Sequence, residues 1–159
     1  MPSCRARDVT ATSIITAVDD EPDQGQNLAM SAQSSLFDTT IRRAGAPVTP
    51  GEQQLLVTFV ANSLNRLGSA AIQRILVFGS RARGEGDEDS DLDLAVFVSC
   101  DAHWSITREV SDIAESTQEG WEDLPHLRPI VIRDGDRTSR RLLDDITQDG
   151  IELWAKTSA

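Results

Sequence analysis

Cysteine is close to absent from this chain: Cys4 and Cys100 are the only two in 159 residues. Two thiols so far apart give neither a disulfide framework nor a metal-ligand spacing, and reduced cytosolic cysteines are the expectation. Positive charge is in deficit as well. A net charge of −11 excludes nonspecific binding to DNA or RNA phosphates, which requires a basic face. It does not exclude a nucleotide, because a metal ion and a few arginines neutralise a triphosphate locally. Long hydrophobic runs are missing too: none approaches membrane-spanning length, and the N-terminus lacks the apolar core of a signal peptide. No membrane contact is expected, and the cytoplasm is the expected compartment. Histidine is scarce, and His103 and His126 have no partner at zinc or catalytic-dyad spacing. Surface or capping roles are expected of both.

The length fits one domain with a real core. Residues 1–47 differ from the rest. They are rich in Ser, Thr, Ala, Gln and Asp, carry an acidic patch from Asp19 to Asp23, and show no sustained periodicity. A disordered or loosely attached arm is expected, with Val9 to Val18 as a weak element at most. Leu36 and Phe37 read as part of a loose tail rather than as a docking segment, and Met30 is an alternative start. The folded domain is expected over residues 48–159. Thr49, Pro50 and Glu52 form a capping-box signature for a helix to about Leu67, stopped by Gly68. Its apolar stripe, Leu55, Leu56, Phe59, Val60, Leu64 and Leu67, reads as core. A helix is expected from Asp101 or Ala102 to Glu119, with Trp104, Val110, Ile113 and Ala114 available for packing. A strand follows over Leu127–Ile132, then a helix from Asp136 to Asp149 and a closing segment, Ile151 to Trp154. The order predicts an α/β fold: a small mixed β-sheet flanked by helices.

The most informative stretch is residues 75–98. Ile75 to Phe78 is an apolar run long enough for a buried strand and too short for a helix. Gly79-Ser80 breaks it, and a polar loop leads to Asp91-Leu92-Asp93-Leu94, where strict alternation marks a second strand. Residues two apart share a strand face, about 6.5–7 Å apart. Asp91 and Asp93 therefore point one way, and Leu92 and Leu94 into the core. Two adjacent carboxylates repel unless a cation sits between them, and Mg²⁺ with oxygen ligands is the usual answer. Before them, Gly-Ser at the end of a strand offers backbone N–H groups and a hydroxyl where phosphates can approach closely. A phosphate cradle facing a carboxylate pair describes a nucleotide site.

The string Gly79-Ser80-Arg81-Ala82-Arg83-Gly84, followed by Ser90-Asp91-Leu92-Asp93-Leu94, resembles the Gly-Ser…Asp-x-Asp motif of the nucleotidyltransferase (polymerase beta-like) superfamily. Its wording and the compact size are similar to the minimal nucleotidyltransferases, the MNT-type antitoxins that pair with HEPN toxins. The resemblance implies Asp91 and Asp93 as catalytic metal ligands for Mg²⁺, two ions in this reading, with ATP as substrate. It places Gly79 and Ser80 in the phosphate-binding turn. Arg81 and Arg83 either contact triphosphate oxygens through their guanidinium forks or balance the neighbouring acids. Glu85, Asp87, Glu88 and Asp89 read as a solvated loop.

One departure stands out. The superfamily places a third carboxylate on the strand after the intervening helix, and Leu127–Ile132 contains no acid. Glu122 and Asp123 lie just before it and Asp134 just after, and Arg128 stands within it. The implied function is transfer of AMP from ATP to a hydroxyl, with a HEPN-type toxin protein as the acceptor. Two alternatives follow: a non-catalytic antitoxin whose acidic surface masks a basic partner, and a nucleotidyltransferase acting on a small molecule of the aminoglycoside type.

Overall fold

A computed structural model describes residues 47–135 and 137–156. The expectations for residues 1–46, including Val9 to Val18, Met30, Leu36 and Phe37, lie outside the described residues, as does Asp136. The first helix, α1 (Pro50–Ala71), opens with both halves of the capping box: Thr49 N–H donates to Glu52 Oε2 at 2.7 Å, and Glu52 N–H to Thr49 Oγ1 at 3.3 Å. Gly68 leaves helical geometry at φ +77°, so the regular helix ends where its glycine predicts, and a further turn carries the chain to Ala71. Then come β1 (Ile72–Phe78), α2 (Gly79–Arg83), β2 (Leu92–Val98), α3 (Ile106–Gln118), β3 (Leu127–Arg133), α4 (Arg140–Asp149) and β4 (Ile151–Ala155).

The four strands form one sheet in the order β3-β2-β1-β4. β1 pairs antiparallel with β2 and β4, and β2 pairs parallel with β3, so the sheet is mixed, as expected. Alternation assigns each face. Ile75 and Val77 of β1, with Leu92, Leu94, Val96 and Val98 of β2, pack under α1 and α3 against Leu55, Phe59, Val110 and Ile113. Leu76, Phe78, Ala95 and Ile132 face the other way, against Ile146 and the partly buried Leu142 and Leu143 of α4. Asp91, Asp93, Ala95 and Phe97 share parity, so the acidic pair lies on the α4 side of β2.

Several boundaries move, each for a stated reason. β1 starts at Ile72 rather than Ile75, because Ile72 and Arg74 pair with Val98 and Phe97 despite the polar Gln73-Arg74 step. α3 starts at Ile106 rather than near Ala102. The segment before it is built of i to i+3 turns, Ala102 N–H donating to Ser99 O and Ile106 N–H to His103 O, each at 3.1 Å, and the Arg133 guanidinium ties it to β3 through Ala102 O and His103 O. Trp104 consequently does not pack in the core: it is 81% exposed, with its ring beside that of His103 at 5.4 Å. α4 starts at Arg140, one turn late, because the Ser139 hydroxyl accepts from Leu142 N–H at 3.2 Å and caps it there.

Candidate functional site

β1 delivers the chain to Phe78, which pairs with Asp93 of β2, and the next residue turns sharply. Gly79 adopts φ +82°, where L side chains are strained, and a Cβ there would stand 2.6 Å from Asp93 Oδ2. Glycine is required twice over at this position. The Asp93 carboxylate fills the space that a side chain at 79 would take, so turn and acid are packed as one unit. Ser80 follows, partly exposed, in the five-residue α2. The short helix closes at Gly84, whose N–H donates to Arg81 O at 3.1 Å, while Glu85 N–H reaches Ser80 O at 2.9 Å.

Asp91 and Asp93 emerge on one face at the start of β2, as alternation predicts. Burial pushes the Asp93 carboxyl above the usual carboxylate range; the nearby Asp91 adds to this and Arg128 opposes it. Arg128 is the residue paired with Asp93 in the parallel ladder. It shares parity with Ile130 and Ile132, whose side chains pack on the α4 side. Its guanidinium Nη1 therefore stands over the acids, 3.9 Å from Asp91 Oδ2 and 4.0 Å from Asp93 Oδ1. The strand beside the acidic pair, which holds no carboxylate, presents a cation to it. Asp134 is excluded as a substitute: it follows β3 beside Val98, at the far end of β2 from Asp91. Glu122 and Asp123 line a cavity that Asp91 also lines.

The two arginines of the Gly79–Gly84 string are engaged elsewhere. Arg81 pairs through Nη1 with Glu52 Oε1, donates from Nε to Ser90 O at 2.9 Å, and from Nη2 to Asp87 O. It braces the loop before β2 against the start of α1. Arg83 bonds Glu85 at 2.7 Å and Asp149 at 2.8 Å, which is the charge-balancing alternative. The loop acids Glu85 to Asp89 are exposed. Asp87 and Ser90 tie its ends together, the Ser90 hydroxyl donating to Asp87 Oδ1 at 2.6 Å and lowering that carboxyl's pKa. The sequence reading missed the Arg81–Glu52 pair. A signal was available, because a capping box uses one oxygen of Glu52 and leaves the other seeking a donor.

The neighbouring cavity, about 810 Å³, is strongly acidic, with Asp87, Glu88, Asp89, Asp91, Glu122 and Asp123 in its wall. Among the described residues, Arg81 is the one cation in that wall. On the side of Asp93, Gly79 brings backbone close to the carboxylate. His126 lines the cavity, in keeping with a surface role.

Among the described residues no group of three or more His, Cys, Asp and Glu side chains forms a metal cluster. Two carboxylates nevertheless fit Mg²⁺, which keeps several waters and takes further oxygens from bound phosphates. The like-charged, partly buried pair is the donor set such an ion satisfies. No helix is long and apolar enough to cross a membrane, among the described residues.

No curated protein matches the chain. Solved structures similar to it include two toxin–antitoxin proteins. One, the crystal structure of a toxin–antitoxin with AMP-PNP, is 20% identical over 64% of this chain and 74% of that one, at a TM-score of 0.49. The other, a mutant MntA-HpeT toxin–antitoxin, is 18% identical over 62% and 71%, at 0.44. The family described as "Polymerase beta, Nucleotidyltransferase" matches residues 63–159, the part that holds the glycine turn, both aspartates and all four strands, and the chain belongs to that family.

Proposed function

We propose that the chain is a Mg²⁺-dependent adenylyltransferase that moves AMP from ATP to a hydroxyl of a partner protein. The partner is a HEPN-type toxin, which makes the chain an MNT-type antitoxin with residues 48–159 as its catalytic domain. The observation that carries the reading is the packing of the Gly79 turn on Asp93, with Asp91 beside it on the same face. The wording of the Gly79–Gly84 string and the compact size support the subfamily and its partner. Use of ATP makes the cytoplasm the proposed compartment.

In this mechanism Asp91 and Asp93 hold the metal, two ions in the full reading. When bound, the metal neutralises phosphate charge and makes the α-phosphorus more electrophilic. Gly79 admits the triphosphate to the backbone, and Ser80 hydrogen-bonds it. The acceptor oxygen bonds to the α-phosphorus, the bond to the bridging oxygen breaks, pyrophosphate leaves, and the acceptor proton passes to water. The missing third carboxylate predicts slow transfer, because the acceptor hydroxyl lacks a base at the β3 position.

The test is incubation of the full chain with α-labelled ATP, Mg²⁺ and the product of the neighbouring gene. Label on that protein with the native chain, and none with Asp93→Asn, is the expected result. Label transferred to nothing, with Asp93→Asn without effect, overturns the reading. A second reading is favoured by the cation at Arg128 in place of an acid: an antitoxin that binds nucleotide and works by masking its partner. Full neutralisation of the partner by a folded Asp91→Asn, Asp93→Asn double variant would decide for masking. Lost neutralisation with the complex intact would decide for transfer.

A further inference from the structure

We infer that Arg128 is an exchangeable stand-in cation. It screens Asp91 and Asp93 while the site holds no metal, and moves onto the triphosphate when metal and nucleotide enter. The inference rests on the proposed reading of Asp91 and Asp93 as metal ligands. It starts from register, since Arg128 is the ladder partner of Asp93 and lies on the acidic face of the sheet. Nη1 is nearly equidistant from the two carboxylates, at 3.9 and 4.0 Å. A single guanidinium therefore answers both charges, the same two carboxylates that would hold a divalent ion.

Magnitudes decide between a lock and a gate. The Arg128 side chain is 67% exposed and its contacts are at the outer limit of an ion pair. Such pairs are weak and screened, so a divalent ion displaces the guanidinium readily. Nothing in this arrangement resembles the buried grip on Arg81. Once displaced, the guanidinium would still be anchored at the β3 position beside Asp93, within side-chain reach of phosphates that a metal on Asp91 and Asp93 would hold. A planar fork suits those oxygens better than it suits two divergent carboxylates. The other arginines near the turn are already engaged, Arg81 by Glu52, Ser90 and Asp87, and Arg83 by Glu85 and Asp149. Arg128 is thus the cation best placed to answer the triphosphate charge.

The exchange makes two predictions of opposite sign. Without nucleotide, Arg128→Ala removes a competitor of the metal. With metal present, it removes a phosphate contact. The measurement is free Mn²⁺ by electron paramagnetic resonance on the full chain, first with Mn²⁺ alone, then titration of a non-hydrolysable ATP analogue at saturating Mn²⁺. Arg128→Ala is expected to bind Mn²⁺ about fivefold more tightly and the analogue about fivefold more weakly. Arg128→Lys, which keeps the charge but not the fork, is expected to stay near the native chain for Mn²⁺ alone and to fall between native and Arg128→Ala for the analogue. Both affinities unchanged, both shifted the same way, or only one shifted overturns the exchange. If native and variant chains alike bind no Mn²⁺, the reading of the aspartates as ligands fails and the inference with it. Equal Mn²⁺ binding by both chains removes the inference alone.

Discussion

Arg81, inside the motif, and Arg128, on the strand beside it, both face carboxylates, and they are held in opposite ways. The Arg81 side chain is 14% exposed, its Glu52 partner 3%, and three of its nitrogens bond to three different residues. Arg128 is two-thirds exposed and stands about 4 Å from two acids without a close hydrogen bond to either. An arginine that is buried and saturated has become part of the scaffold. One that is exposed, loosely placed and shared by two functional acids remains available for chemistry. Type and proximity to the motif favour Arg81 as the phosphate contact, whereas geometry favours Arg128.

The sharpest way to break this comparison is Arg81→Ala. It leaves the Glu52 carboxylate buried with only its capping bond, and frees the loop that leads to Asp91. Removing one partner of a buried pair costs about 3–5 kcal/mol, a large share of the stability of a domain this size. Urea unfolding is expected to show a midpoint lowered accordingly. A loss below about 1 kcal/mol would mean that Arg81 is not structural, and would reopen its role at the phosphates.

Gly79→Ala comes next. The new Cβ meets Asp93 Oδ2 at 2.6 Å and the backbone stays at φ +82°, a strain of about 1–3 kcal/mol. Because the clash is with Asp93 itself, the variant is expected to lose Mn²⁺ affinity along with stability. Calorimetry with and without Mn²⁺ separates the two. A destabilised variant with native Mn²⁺ affinity would show that turn and acid are not one unit.

How much of this was legible in the chain depends on the range of each interaction. Asp91 and Asp93 on one face follow from strand alternation alone, and the capping box from four consecutive residues. The glycine turn is a local break in an apolar run. Arg81 finds Glu52 across 29 residues, and Arg128 meets Asp93 only through the parallel register of β2 and β3. No local pattern encodes either. The missing acid on β3 was visible in the sequence, but its replacement by a cation over the same face required the pairing. Trp104 failed as a core residue for a similar reason: it lies in a turn segment ahead of the helix, and Arg133, 29 residues on, ties that segment to β3.

Asp93 gives a smaller effect, with a defined sign in pH. Burial raises its folded pKa above the unfolded value. Between the two values the native state therefore binds more protons than the unfolded chain, and stability falls as pH rises through that window. Asp93→Asn is expected to raise Tm by a few degrees at neutral pH, with the difference shrinking as pH falls through the folded pKa. Metal binding runs the other way: a protonated carboxyl is a poor ligand, so Mn²⁺ affinity is lost on acidification sooner than at an exposed aspartate. A flat difference in Tm between native and variant chains from acid to neutral pH would remove this account of Asp93.

The smallest expected effect completes the contrast between the arginines. Arg128→Ala deletes two contacts near 4 Å made by a side chain that water already surrounds. The Coulomb gain of such a pair is offset by the entropy of holding a long side chain in place, and ionic screening reduces it further. Its removal also leaves Asp91 and Asp93 facing each other without a cation between them. Both are partly open to solvent, so water takes over most of the screening. A stability change within about 0.5 kcal/mol is expected, with a weak dependence on salt. Urea unfolding of Arg81→Ala, Arg128→Ala and the native chain in one buffer checks it. If Arg128→Ala proves as destabilising as Arg81→Ala, the guanidinium is a fixed part of the fold, and its proposed departure from the carboxylates would be too costly for a metal ion to drive.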